Sequence, residues 1–314
     1  MRLSGRSAFA RRWSVLISYK SVKDGMKHFL IYTNQHKDKN LTTTKRICHY
    51  LELKGQRATV RADGNRWREQ LLPGDGNVSL GNIPKDVDCM IVLGGDGTVL
   101  QAARETRWLH IPIIGVNLGT LGYMTEIELE SLEEALDRLI AGDYQQESRM
   151  MLKGRAFLGT DRSEEGWALN DIVISRSGSL QIIKFSIYVN GQFLHDYDAD
   201  GVIVTTPTGS TGYNLSAGGP LVEPGARLIM ITPICPHTLN QRSIILSPED
   251  VIEIEIPRGR EGRTQTVEAN FDGSHVIPLK TGDRVQIVKS ENTIEFLQLN
   301  RVSFLEVLHR KMTD

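Results

Sequence analysis

The sequence predicts an α/β domain on a parallel, Rossmann-like sheet, then an all-β, sandwich-like domain, then a C-terminal helix that returns to the first domain. Three observations carry that expectation. Up to about residue 142, short apolar runs alternate with segments of helical spacing, as in a parallel sheet with crossover helices. From Met151 onward strand-like runs follow one another instead. Val302 to Lys311 then sets Phe304, Leu305, Val307 and Leu308 in a helical stripe. The domains are expected at 26–125 and 126–299, each with its own sheet, with 300–314 packing back on the first and 1–25 set apart.

Composition narrows the function. At 314 residues with 40% hydrophobic content, the chain can bury a sizeable core and suits two domains. Lys+Arg 37 against Asp+Glu 38 leaves a net charge of -1, so nothing suggests a sequence-independent grip on nucleic acid or an anionic membrane, and basic groups must act locally. Cys48, Cys89 and Cys235 form no CxxC pair and read as reduced, cytoplasmic thiols. No apolar run approaches the ~18 residues of a membrane span.

Residues 1–25 carry Arg2, Arg6, Arg11, Arg12, Lys20 and Lys23 against the single acid Asp24. That composition suits an organelle presequence; alternatively Met26 is the true start, leading straight into the strand 29–32. A helix follows, with Ile47, Tyr50 and Leu51 at helical spacing and Gly55 as C-cap, and then a strand at 58–61. Asp63 to Lys85 reads as an irregular surface excursion. Asp88 to Leu93 is an apolar strand broken by Gly94-Gly95-Asp96-Gly97-Thr98, before a helix from Val99 to about Arg107. The glycines allow close backbone approach, and Thr98 is placed to cap a helix whose N-terminus favours phosphate. Asp96 is anomalous there: a carboxylate repels phosphate unless it takes a proton, holds a metal, or simply accepts backbone hydrogen bonds in the turn. The strand 111–116 ends in Asn117-Leu118-Gly119-Thr120-Leu121-Gly122, again at the strand end where parallel sheets bind ligands. Ser131-Leu132-Glu133-Glu134 reads as a capping box opening a helix to Gly142.

In the β half, strands are expected at 151–158, 167–175, 182–189, 251–256, 264–271, 283–288 and 293–299, with hairpin turns at Asn190-Gly191 and Asp272-Gly273. Its densest chemistry is Asp200 to Ser216. Gly201 to Thr206 is a buried β-branched strand, and Pro207 to Gly212 then offers uncovered N–H groups with the hydroxyls of Thr208, Ser210 and Thr211. Such a loop suits an anionic or ribose-bearing ligand, a nucleotide above all.

Taken in order, Gly94-Gly95-Asp96-Gly97-Thr98, the Asn117 to Gly122 loop, Asn170-Asp171, Asp200-Gly201, Thr206 to Tyr213, Pro236-His237-Thr238-Leu239 and Phe271-Asp272-Gly273 resemble the NAD kinases, over nearly the whole chain from Met26. The resemblance implies phosphoryl transfer from ATP or polyphosphate to the 2′-hydroxyl of the adenosine ribose of NAD, with a divalent metal such as Mg²⁺ whose ligands stay unidentified. It implies Asp96 as proton acceptor, with Gly94, Gly95, Gly97 and Thr98 beside it. It implies dinucleotide contacts from Asn170, Asp171, Thr208, Ser210, Thr211, Gly212, Tyr213, Asn214, Leu215 and Ser216, and Asp200 at the nicotinamide end, often of a neighbouring subunit. A homodimer or homotetramer follows from that last role. Gly212 stands where Ala is usual, Ser274 where Gln is common, and Asn240 and Ser243 where Ser and Pro are frequent. The residues alone leave other readings open: Asn170 as a turn cap, Asp171 paired with Arg176, Tyr213 as core, His237 as a loop histidine.

Two other functions compete. A lipid kinase sharing GGDGT would need an apolar acyl groove, against which the hydroxyl-rich loop argues. A non-catalytic dinucleotide-binding protein would be expected to lack Asp96, which is present.

Overall fold

The computed structural model describes residues 25–62, 83–119, 122–178, 182–238, 242–299 and 304–313. The presequence question, nearly all of the 63–85 excursion, and Thr120, Leu121, Leu239 and Asn240 lie outside them. The strands are β1 (His28–Thr33), β2 (Arg57–Ala62), β3 (Cys89–Gly94), β4 (Ile113–Asn117), β5 (Gln145–Leu158), β6 (Arg162–Ala168), β7 (Asp171–Arg176), β8 (Ile183–Val189), β9 (Gln192–Ala199), β10 (Gly201–Thr205), β11 (Ile229–Ile234), β12 (Ile244–Leu246), β13 (Ile252–Glu255), β14 (Thr266–Phe271), β15 (His275–Lys280) and β16 (Arg284–Gln298). The helices are α1 (Thr42–Leu53), α2 (Asp96–Thr106), α3 (Leu132–Ala141), the single turn α4 (Tyr213–Ser216) and α5 (Phe304–Thr313).

The first domain is a parallel sheet in the order β2-β1-β3-β4. β1 and β3 are buried at every residue, as expected of strands covered on both faces. Helices α1 and α3 cover one face through Ile47, Leu51, Leu132, Leu136 and Leu139. The opposite face receives Val99, Ala102 and Ala103 of α2, in a core that continues into Met151, Leu169 and Phe296 of the second domain. That shared core fixes α2 against the β half.

The second domain packs two antiparallel layers around one core that includes Phe185, Val204, Phe271 and Ile287. One layer is the six-stranded sheet β12-β11-β10-β7-β14-β15. The other runs β16-β13-β8-β9, with β5 and β6 branching from β16. The expectation of separate sheets needs correction here. β16 is one long strand, not two, with a register shift between Lys289 and Thr293. Beyond that shift it reaches β4, where Phe296 pairs with Ile113 and joins the layer to the parallel sheet.

Further differences are local. The run 167–175 divides into β6 and β7, because the chain turns at Leu169 and Asn170. Helix α2 opens three residues earlier than expected, with Gly95 as N-cap, so Thr98 lies inside it and caps nothing. The capping box at Ser131 is not formed: the Ser131 hydroxyl donates to Glu128 O. Gly142 does close α3 in the left-handed conformation, φ 76°. The Asn190-Gly191 and Asp272-Gly273 turns have positive φ at both residues, 52° with 76° and 48° with 68°, the requirement of a type I′ hairpin. Helix α5 returns to the first domain, where the Lys311 ammonium lies 4.7 Å from the centre of the Tyr123 ring.

Candidate functional site

The carboxyl ends of β1, β3 and β4 meet in one place. Asn34 N donates to Leu93 O at 3.0 Å, and Leu118 N donates to Gly94 O at 2.9 Å, so the loops after all three strands are tied together. Asn34 Nδ2 also donates to Thr98 Oγ1, which occupies the space that a side chain at Gly94 would need. Asp96, half-buried at the first position of α2, turns its carboxylate onto the loop after β4. Oδ2 accepts from Tyr123 N at 2.8 Å and Oδ1 from Met124 N at 3.0 Å. A Cβ at Gly122 would lie 1.9 Å from Oδ1, so glycine is what lets the carboxylate seat there. Two acceptor positions are used of about four on a carboxylate, leaving capacity for a further donor. Both backbone bonding in the turn and proton acceptance are compatible with this seating.

A basic residue that sequence reading missed stands beside this turn. A Cβ at Gly95 would lie 2.9 Å from Lys37 Nζ, and Lys37 has no carboxylate partner among the described residues. Its loop is held by Asn34 Oδ1, which accepts from His36 N and Lys37 N. Only its place after β1 could have signalled it.

The second group gathers at the mouth of β7 and β10. Asn170 O accepts from Thr206 N at 2.8 Å and Thr205 Oγ1 at 3.0 Å, while Leu169 O accepts from Thr206 Oγ1 at 2.6 Å. Gly209 is pressed so close that a Cβ there would lie 2.5 Å from Asn170 O. Gly212 faces the side chain of Asn170, with a Cβ position 3.4 Å from Nδ2, so an alanine there would sit in near-ordinary contact. Around this seam Asn170 Oδ1 and Thr208 Oγ1 are buried without a partner among the described residues. Two buried polar atoms without partners cost folding energy that a bound ligand can return.

The predicted loop residues divide by geometry. Ser210 is fully buried, its hydroxyl exchanging bonds with Val222 N and O. Asn214 is fully buried too, engaged with Pro220 O and Thr232 Oγ1. Their side chains hold the loop's shape, and Thr208 is buried beside them, leaving the Gly212 backbone, Tyr213, Leu215 and Ser216 to face outward. Tyr213, 48% exposed, is not core. Thr211 Oγ1 is directed back to Thr208 O at 3.4 Å. Asp200 lies at the opposite end of β10 and pairs with Arg176 at 3.3 Å, which removes Arg176 from any pairing with Asp171. His237 is an exposed loop residue.

Asp171, only 6% exposed, is pushed up to about 7 by burial and then by the neighbouring charge of Asp272. Asp272 is also raised by burial, opposed by three backbone N–H donors and by Arg104. Those donors favour the ionised form, so the extra proton of the pair belongs on Asp171.

Comparison with known proteins bears on all of this. Residues 29–144 match the ATP-NAD kinase N-terminal domain and residues 169–299 the ATP-NAD kinase C-terminal domain. An NAD kinase of Lachnospira eligens is 47% identical over 297 residues, covering 91% of this chain and 100% of the relative. One from Thermoanaerobacter pseudethanolicus is 37% identical over 294 residues, 92% of this chain and 100% of the relative. Among solved structures, an NAD kinase from Archaeoglobus fulgidus in complex with ATP superposes with a TM-score of 0.68 at 25% identity, over 92% of this chain and 100% of the other. Yeast NADH kinase complexed with NADH shares the fold, with a TM-score of 0.79 at 22% identity over 94% and 90%.

The Asp171 carboxyl has a thermodynamic consequence. An acid with a higher pKa folded than unfolded binds more protons in the fold, so its stabilising contribution is present at low pH and lost as pH rises from about 4 to about 7. Asp171→Asn, which cannot ionise, is therefore expected to raise the melting temperature of the ligand-free protein at pH 8 relative to wild type. The difference should shrink toward pH 4.5 in thermal scans. A difference constant across that range would show that Asp171 is not the group carrying the proton.

Proposed function

The chain belongs to the NAD kinase family and is a kinase with NAD and ATP as substrates; from that membership we propose the acceptor atom and the residues that carry the transfer. The acceptor is the 2′-hydroxyl of the adenosine ribose, and the product is NADP. The observation that supports this reading is the seating of Asp96 at the junction of three strand ends, oriented by Tyr123 N and Met124 N.

A ribose hydroxyl is a weak nucleophile. Asp96, with lone pairs free and its orientation fixed, accepts the hydroxyl proton as the oxygen attacks the terminal phosphorus of ATP. The bond from that phosphorus to the bridging oxygen breaks, and ADP leaves. Phosphoryl transfer depends chiefly on positioning and charge stabilisation. Gly94, Gly95 and Gly97 let the donor's phosphates come close to the backbone, Thr98 braces the turn by donating its N–H to Gly95 O, and the Lys37 ammonium beside Gly95 offsets the phosphate charge. Among the described residues no three His, Cys, Asp or Glu side chains group to hold a metal. A divalent metal such as Mg²⁺, arriving with ATP, would neutralise charge on the donor's phosphates. Asn170, Asp171, Thr208, Thr211, Gly212, Tyr213, Leu215 and Ser216 hold the dinucleotide, with Ser210 and Asn214 supporting them from beneath. Among the described residues no helix is long and apolar enough to cross a membrane, and a cytoplasmic location is proposed on the strength of the reduced thiols.

Asp96→Asn is expected to lower kcat by roughly 10²-fold or more while leaving NAD affinity within a few-fold, in a coupled assay of NADP formation with ATP and, separately, polyphosphate as donor. Near wild-type kcat with collapsed affinity would make Asp96 a binding residue. The assembly is proposed as a homo-oligomer, with Asp200 serving a neighbour's site and the exposed Phe193 on the edge strand β9 available for contact. Sedimentation under assay conditions should give a dimer or tetramer, and an active monomer would overturn that.

A further inference from the structure

We propose that Asp272, in the turn between β14 and β15, is the positioning residue that sets the Asn170-Asp171 segment and the Thr206–Gly212 loop for dinucleotide binding; this rests on the function proposed above.

The turn reaches the surface, yet the carboxylate points inward. Oδ2 accepts from Leu169 N at 2.8 Å, and Oδ1 from Asn170 N at 2.9 Å and Asp171 N at 3.2 Å. The backbone closes the arrangement from the other side, since Asp272 N donates to Asp171 O at 3.1 Å. Leu169 and Asn170 of the β6–β7 connection and Asp171, the first residue of β7, are thus clamped to one side chain. No ladder hydrogen bonds are available where the chain turns between strands, so without Asp272 these N–H groups would lack partners.

What the clamp holds is the dinucleotide seam. The carbonyls of Leu169 and Asn170 receive Thr206 Oγ1, Thr206 N and Thr205 Oγ1, and Thr206 Oγ1 in turn accepts from Gly209 N at 3.2 Å. A shift of the Asn170 backbone therefore moves the loop to Gly209 and the orphaned acceptors Asn170 Oδ1 and Thr208 Oγ1 together. The clamp is anchored in the core below. Phe271 fills a slot opened by Gly154 and Gly166, where a Cβ at either would come within 2.7 Å of its ring. It also faces α2: the Arg104 charge acts on Asp272, and Arg104 Nη1 is buried without a hydrogen-bond partner among the described residues. The helix that begins at Asp96 thus presents a cation toward the carboxylate that sets the acceptor's seat.

Asp272→Asn preserves size but puts an amide where three N–H donors converge. Steady-state kinetics should show KM for NAD raised at least about tenfold and KM for ATP within about twofold. A second readout is the pH dependence of KM for NAD. The charges facing Asp171 are Asp272 from the turn and, beyond it, Arg104 from α2. In wild type, KM for NAD should fall as pH rises through about 7; in the variant the midpoint should move to lower pH, because the like charge is gone. A purely structural role predicts a lower melting temperature with KM for NAD and its pH midpoint unchanged, and that result overturns the proposal. Should Asp272→Asn be insoluble, Asp272→Glu keeps the charge but displaces it by one methylene, and a KM for NAD within twofold of wild type would overturn it equally. A wild-type protein that forms no NADP sinks the functional reading; an active wild type with an unaltered variant sinks this inference alone.

Discussion

Three backbone N–H groups, at Leu169, Asn170 and Asp171, converge on one carboxylate, and the geometry of the β half around the site depends on it. A chain that leaves one strand and enters the next must expose polar backbone, and burying that backbone unpaired is costly. Here the donors go to Asp272 and the carbonyls accept from Thr205 and Thr206, so the β6–β7 connection is satisfied by the β14–β15 turn on one side and by the end of β10 on the other. The arrangement leaves Asn170 Oδ1 and Thr208 Oγ1 buried without a partner among the described residues. Those gaps are where ligand polar groups have the most to gain.

The α/β half uses the same economy. Parallel strands end together, their loops bond across to one another, and the first carboxylate of α2 is held by N–H groups of the loop after β4. A carboxylate that would be poorly placed among phosphates as a free rotor becomes a fixed acceptor once both oxygens are held. Joining the halves falls to β16, whose far end pairs with β4, and to the core shared by α2 and Leu169. Relative placement of Asp96 and Asn170 is thus built into packed strands and helix, not left to a linker.

Much of this was legible in the sequence, and the failures have physical causes. Apolar runs located β1, β3 and β10, and Asn190-Gly191 and Asp272-Gly273 marked hairpins because only such residues readily take positive φ at both turn positions. The motifs placed Asp96, Asn170, Asp171 and Thr208 as candidates. Hidden were features that depend on distant partners. The continuity of β16 past Lys289 is decided by β5 across the sheet, not by its own composition. The confinement of Ser210 and Asn214 to supporting roles follows from Val222, Pro220 and Thr232, and Lys37 carries no local mark of its position beside Gly95. Asp272 read as a turn former, and its inward carboxylate emerged only when β6 and β7 were seen beside it.

The central claim is that Asp96 meets the ribose hydroxyl while the Asn170 seam holds the dinucleotide. A crystal structure with NAD bound tests it most directly. The account predicts the adenosine 2′-hydroxyl within about 3 Å of an Asp96 carboxylate oxygen, as general-base transfer requires, with Asn170 and Thr208 bonded to the dinucleotide. A 2′-hydroxyl directed away from Asp96, with Asn170 Oδ1 still unpartnered, would contradict it.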